Sequence, residues 1–138
     1  MSIKENKALV RRIYKLANQK KVDAFFELLA PGYVEHWTDR NLSREEAIEA
    51  DTMFFKALSD LTATIEDLVA EGDKVAIRVT WRGTHKGELM GMSPTGKKAE
   101  MTNAGIYRIA NGKIAECWAT VDSLRFMQQL GAIPKPQT

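Results

Sequence analysis

A chain of 138 residues with ordinary apolar and charged fractions has the make-up of one domain, residues 1–138, long enough to bury a core. A net charge of +2, with basic pairs at Arg11-Arg12, Lys20-Lys21 and Lys97-Lys98 but no longer basic run, argues against a nucleic-acid partner. One cysteine, Cys117, excludes an internal disulfide; no stretch reaches a membrane span and no apolar leader opens the chain, so a cytoplasmic location is expected.

Ser2 to Glu5 forms a capping box, and Leu9, Ile13, Leu16 and Ala17 follow at helical spacing, predicting a helix to about Asn18. Val10 and Tyr14 widen its apolar stripe, with Tyr14 one position off its centre. Asp23 can cap a second short helix, which Pro31-Gly32 ends. Tyr33 to Trp37 reads as short extended or irregular chain. Ser43 to Glu46 is a second capping box, opening a helix that points Ala47, Ile48, Phe54, Phe55 and Leu58 inward.

The period then changes from helical to alternating. Thr62 to Val69 predicts a strand, and Glu71-Gly72-Asp73 a turn. Val75, Ile77, Val79 and Trp81 alternate with Ala76, Arg78, Thr80 and Arg82, as in a half-buried antiparallel strand. Gly83 to Gly96 is a loop. Lys98 to Ala110 and Lys113 to Val121 are two long strands. Asp122 or Ser123 caps a closing helix that Gly131 stops, and Pro134 and Pro136 mark a tail.

Asn111-Gly112 between those two strands is a strong hairpin signal, because both turn residues must take positive φ. A two-residue loop sets Ala110 against Lys113, Tyr107 against Glu116 and Gly105 against Trp118. One face then carries Met101, Asn103, Tyr107, Ile109, Ile114, Glu116, Trp118, Thr120 and Asp122, unless a bulge intervenes. Aromatic bulk mixed with carboxylates, an amide and a hydroxyl suits the wall of a ligand pocket. Arg108, Ile106, Cys117 and Val121 fall on the other face, where a contact between subunits would explain apolar residues beside an arginine. Helices first and a sheet afterwards mean an α+β chain, here a strongly curved antiparallel sheet round the N-terminal helices, enclosing a cavity.

Glu71-Gly-Asp-Lys-Val75, Gly83-Thr-His-Lys-Gly87, Pro94-Thr-Gly-Lys97, Gly112-Lys-Ile114, Trp118 with Asp122, and Gln129-Leu-Gly131 together resemble the SnoaL-like polyketide (ester) cyclase family of the NTF2-like superfamily. The resemblance spans nearly the whole chain. It implies an NTF2-like cone, an intramolecular aldol ring closure without metal or cofactor, and a small apolar or polyketide-like substrate. It makes Asp122, four places after the tryptophan, the acid/base residue, and it implies homodimers or homotetramers built through the sheet. Family members often carry His-Asp-Pro where this chain has His36-Trp37-Thr38.

Beside the catalytic reading, Asp122 has an ordinary one as a helix cap. His36 could orient or protonate a carbonyl oxygen, or be a plain loop histidine. Tyr14 could donate to a developing oxyanion, and His85 could close a cavity mouth. Trp37, Phe55, Trp81 and Trp118 could clamp a flat ligand, while Asn103 and Thr120 hydrogen-bond its carbonyls. Two distant histidines without a third ligand give no metal site. The alternatives to a cyclase are a ketosteroid-type carbonyl isomerase and a non-catalytic module for ligand binding or dimerisation.

Overall fold

Both capping boxes form. The computed structural model describes residues 2–134; Pro136 lies outside them. In α1 (Ile3–Asn18) the Ser2 hydroxyl accepts from the Glu5 N–H and the Glu5 carboxylate accepts from the Ser2 N–H. Next come α2 (Val22–Glu27), β1 (Leu29–His36) and β2 (Asn41–Ser43), and then α3 (Arg44–Ala57), which Ser43 and Glu46 cap in the same way. Two expectations change in this stretch. The α2 cap is Lys21, with no side-chain bond, and Asp23 sits in the first turn where its charge suits the helix dipole. Tyr33 to His36 is regular strand, and β1 starts ahead of Pro31-Gly32 with its register broken between Leu29 and Val34.

The second half holds β3 (Thr62–Glu71), β4 (Lys74–Thr84), β5 (Lys98–Ala110), β6 (Lys113–Val121) and α4 (Ser123–Leu130). One six-stranded sheet results, in the order β2-β1-β6-β5-β4-β3. Every neighbouring pair is antiparallel except β1 and β6, which are parallel. The wholly antiparallel sheet is corrected at that pair: no hairpin joins β1 to β6, and the long connection between them permits parallel pairing. Register breaks in the β1–β6, β3–β4 and β5–β6 pairs bend the strands, which curls the sheet round the helices.

Helix α1 packs on β3 and β4, α3 on β1 and β2, and α4 on β5. The α1 stripe buries Val10, Ile13, Tyr14, Leu16 and Ala17, so Tyr14 belongs to the buried face and Leu9 to its edge. Its β4 counterpart is Val75, Ile77, Val79 and Trp81, as the alternation requires. Full burial of each such aliphatic side chain contributes about 1.5–3 kcal/mol. Among the described residues no helix is long and apolar enough to cross a membrane.

The Asn111-Gly112 turn forms with both φ angles positive, at 52° and 73°. Ala110 pairs with Lys113 and Ile109 with Ile114 as the loop length dictates, but Arg108 then pairs with Glu116. Ala115 is therefore an extra residue, and every later partner moves by one: Tyr107 meets Cys117, Gly105 meets Ala119 and Ile106 meets Trp118. The β6 face assignment is overturned beyond Ala115. Cys117, Ala119 and Val121 turn toward the helices, and Glu116, Trp118 and Thr120 turn to the outer face. The bulge spares the Glu116 carboxylate from burial and sets it beside Arg108 at 2.7 Å.

Candidate active site

Alternation along β1 sends Tyr33 and Glu35 to the inner face, and the parallel register sets Glu35 beside Cys117. The Tyr33 hydroxyl donates to Glu35 Oε1 at 2.7 Å, and Trp37 Nε1–H donates to Oε2 at 2.8 Å. Trp37 stays partly exposed, so this carboxylate sits where the cone meets the surface.

Helix α3, which packs on β1, contributes Asp51. Ala47 and Ile48 lie one turn before it and Phe54 and Phe55 one turn after, all on the inward side. Protein atoms crowd the Asp51 carboxyl on nearly every side, although the residue keeps some accessible surface. Burial, and to a lesser degree the negative charge of Glu35, push its pKa up to about 8. No hydrogen bond to it is found among the described residues.

Deeper in the cone the Tyr14 and Tyr107 hydroxyls meet at 2.6 Å. Two hydroxyls own two hydrogens and use one in their mutual bond, which leaves one free for a ligand. Burial raises both phenols above their usual range, so they stay protonated donors. Asn103, on the same face of β5, has a buried Oδ1 with no partner. Trp81 lies against Tyr14 at 5.7 Å and Phe55 against Trp81 at 6.2 Å, between ring centres. The negative charges of Glu35 and Asp51 add to the rise of the Tyr14 and Cys117 pKa values, behind burial. Burial raises the Cys117 thiol well above its usual range, as suits a small buried hydrophobe rather than a nucleophile.

Of the candidate residues, Tyr14, Phe55 and Trp81 pack together inside the cone, Asn103 lies on the same inner face of the sheet, and Trp37 stays at the surface with its indole N–H on Glu35. The rest lie elsewhere. His36 is on the outer face, stacked on Trp118 at 5.0 Å and bonded through Nε2 to Glu116 at 2.7 Å. Hydrogen bonds from His36 and Arg108 hold the Glu116 carboxyl below its usual range. Trp118 and Thr120 are exposed there through the bulge. Asp122 is exposed too, and its Oδ1 accepts from the Arg125 N–H as the cap of α4. His85 is fully buried; Nδ1 accepts from the Thr95 N–H, which pins the loop from 85 to 97. A hollow of about 450 Å³ opens between α1 and β3 with Tyr14 in its wall, and Asp122 is not among its lining residues.

Sequence reasoning did not single out the carboxylates Asp51 and Glu35. Their signals are the lone charge in the apolar stripe of α3 and the inward alternation of Tyr33 and Glu35.

The pattern of the SnoaL-like polyketide cyclases matches residues 7–130. The aklanonic acid methyl ester cyclase DnrD of Streptomyces peucetius is 32% identical over 130 residues, covering 89% of this chain and 88% of its own. The corresponding enzyme AcmA of Streptomyces galilaeus is 28% identical over 138 residues, covering 97% and 95%. Among solved structures, AclR of S. galilaeus, a candidate hydroxylase, superposes with a TM-score of 0.93 at 28% identity over 99% of this chain and 91% of that one. IdmH of Streptomyces antibioticus, a candidate polyketide cyclase, gives 0.78 at 32% identity over 91% and 98%.

Proposed function

The chain belongs to the SnoaL-like polyketide cyclase family, and from that premise we propose that it closes a ring in a small, carbonyl-rich, polyketide-like substrate by intramolecular aldol chemistry. It does so with a carboxyl group for the acid–base work and without a cofactor. The observation that carries this reading is the polar set on the inner face of the sheet: the unpartnered Asn103 Oδ1 and, four residues further along the same strand, the Tyr14–Tyr107 pair. A core has no use for an orphaned amide oxygen, since an unpaired buried polar atom costs about 1–3 kcal/mol. A ligand that brings a hydroxyl to Asn103 and a carbonyl to the free phenol hydrogen recovers that cost. The same hydrogen is placed to stabilise the oxyanion that develops as the ring closes.

The test is turnover of aklanonic acid methyl ester, the compound for which the relatives are named. Cyclisation gives an isomer of unchanged mass. A product heavier by one oxygen would favour a hydroxylase, the description carried by AclR. No turnover, with a β,γ-unsaturated ketone moved into conjugation instead, would favour an isomerase.

Asp122, the residue the family motif points to, is exposed and engaged as a cap. Asp122→Asn is therefore expected to change kcat by less than about threefold and to cost about 1 kcal/mol of stability at most. A loss of roughly 100-fold or more would return the acid–base role to Asp122.

The reading includes self-association through the outer face of the sheet, where Ile106 and Trp118 are exposed side by side in the β5–β6 register. Light scattering on Ile106→Asp is expected to give a smaller particle than the parent. An unchanged mass would place the contact elsewhere.

A further inference from the structure

We propose that the hollow between α1 and β3 is a ligand site in its own right, on the flank of the cone, and that it takes a small aromatic carboxylate. Two unpaired cations, Arg11 and Lys15, stand there beside an apolar wall of Tyr14, Ala63 and Ile65. The site goes beyond the ring closure and does not depend on it.

Helical spacing builds one side of it. Arg11, Tyr14, Lys15 and Asn18 stand at i, i+3, i+4 and i+7 and so share one face of α1. Ala63 and Ile65, two apart on β3, fall on one side of the sheet and complete the wall. The hollow measures about 450 Å³, inside the range of roughly 300–1,000 Å³ usual for small-molecule sites. One end is fixed: Asn18 Nδ2–H donates to the Ala63 carbonyl at 2.9 Å, and Asn18 Oδ1 accepts from the Ala63 N–H at 2.7 Å.

What remains unengaged in the wall decides the ligand. Asn18 has both its polar atoms on Ala63, and the Tyr14 hydroxyl is bonded to Tyr107. Neither Arg11 nor Lys15 pairs with a carboxylate among the described residues. Helix α1 carries Lys4, Lys7, Arg11, Arg12 and Lys15 against one acid, Glu5, whose carboxylate accepts from the Ser2 N–H. The next acids along β3, Glu66 and Asp67, are bonded to Thr80 and Arg78. This flank is therefore a positive field on a chain whose net charge is only +2. A guanidinium offers two parallel N–H donors to a carboxylate, and the neighbouring ammonium adds a point charge. The apolar wall asks for a flat hydrocarbon behind that carboxylate.

The experiment titrates the full chain with α-naphthoate at low ionic strength, by calorimetry and by amide NMR. Saturable one-to-one binding with a Kd on the order of 1 mM is expected. The amides of Ala63 and Ile65 should shift, while those of Asn103 and Gly105 on the inner face of β5 stay in place. Arg11→Gln combined with Lys15→Gln removes the two cations at exposed positions, and circular dichroism checks its fold. That double variant is expected to bind roughly tenfold more weakly. Lys4→Gln combined with Lys7→Gln removes the same charge outside the hollow and should stay within about twofold of the parent. α-Naphthamide, with the rings but no charge, and acetate, with the charge but no rings, should each bind at least roughly tenfold more weakly. An Arg11/Lys15 variant that binds like the parent overturns the proposal, as do shifts confined to the inner face of β5. A Lys4/Lys7 variant weakened as much as the Arg11/Lys15 one reduces the effect to a diffuse field and also overturns it. Inorganic phosphate displacing α-naphthoate at equal concentration would show an anion site with no demand for an arene, and the proposal would fall.

Discussion

Asp51→Asn is expected to be more stable than the parent by about 3 kcal/mol at alkaline pH, with the two proteins converging near pH 4. The sign follows from the raised pKa of the carboxyl. In the unfolded chain Asp51 releases its proton near the ordinary aspartate value, and in the folded chain only at about 8. Between those values the folded state holds the extra proton, so stability is greatest below about pH 4 and falls as pH rises toward 8. Above 8 both states are ionised and the penalty is constant. Each tenfold difference in proton affinity between the folded and unfolded chains corresponds to about 1.4 kcal/mol, so a ceiling lies on the order of 5 kcal/mol. Partial exposure of the residue brings the expectation down to about 3 kcal/mol. Asparagine carries no charge at any of these pH values and removes the penalty. Urea unfolding of both proteins at several pH values measures the difference, with the slope on denaturant checked for constancy. Carboxyls held low by their partners, Glu5, Glu46, Asp60 and Glu116, act at the acid end with the opposite sign and cancel in the difference. A parent and variant separated by the same amount at every pH would mean that Asp51 ionises like a surface aspartate.

What the sequence discloses and what it hides divide at one residue, Ala115. The capping boxes, the β4 alternation and the positive-φ pair Asn111-Gly112 are local signals, and each forms as read. The resemblance adds the cone. The hairpin register also holds for its first two pairs. It then slips because a bulge depends on which face the rest of the molecule buries, and that is not written in the hairpin itself. One extra residue moves Trp118 and Thr120 from the pocket wall to the outer surface, and it brings Cys117 and Val121 inside. The parallel β1–β6 pair hides for a similar reason: partners so far apart in the chain leave no turn to read. Glu35 lies inside only because β1 lines the cone, so its position needed that pairing first. Asp51 was legible. A lone carboxylate among Ala47, Ile48, Phe54 and Phe55 breaks a helical apolar stripe and asks for an explanation that solvent does not give.

Gly105→Ala is expected to destabilise the fold by about 3 kcal/mol, a large part of the roughly 5–15 kcal/mol typical of such a domain. A Cβ at this position would lie 2.7 Å from the Trp118 carbonyl oxygen and 3.5 Å from the Ala119 Cα. Both are backbone atoms of the neighbouring strand, so no flexible side chain can swing away. The demand is for space rather than for an unusual φ. Relief requires β5 and β6 to move apart where Asn103 and Tyr107 flank Gly105 on the inner face. Turnover should therefore fall along with stability. Gly32→Ala is the control. It also lies in a strand, a Cβ there meets nothing within 4 Å, and its expected change is within about 0.5 kcal/mol. Equal urea midpoints for the two variants would mean that the hairpin can open without cost. The bulge would then be a soft feature of the sheet, not the one that fixes which side chains face the cone.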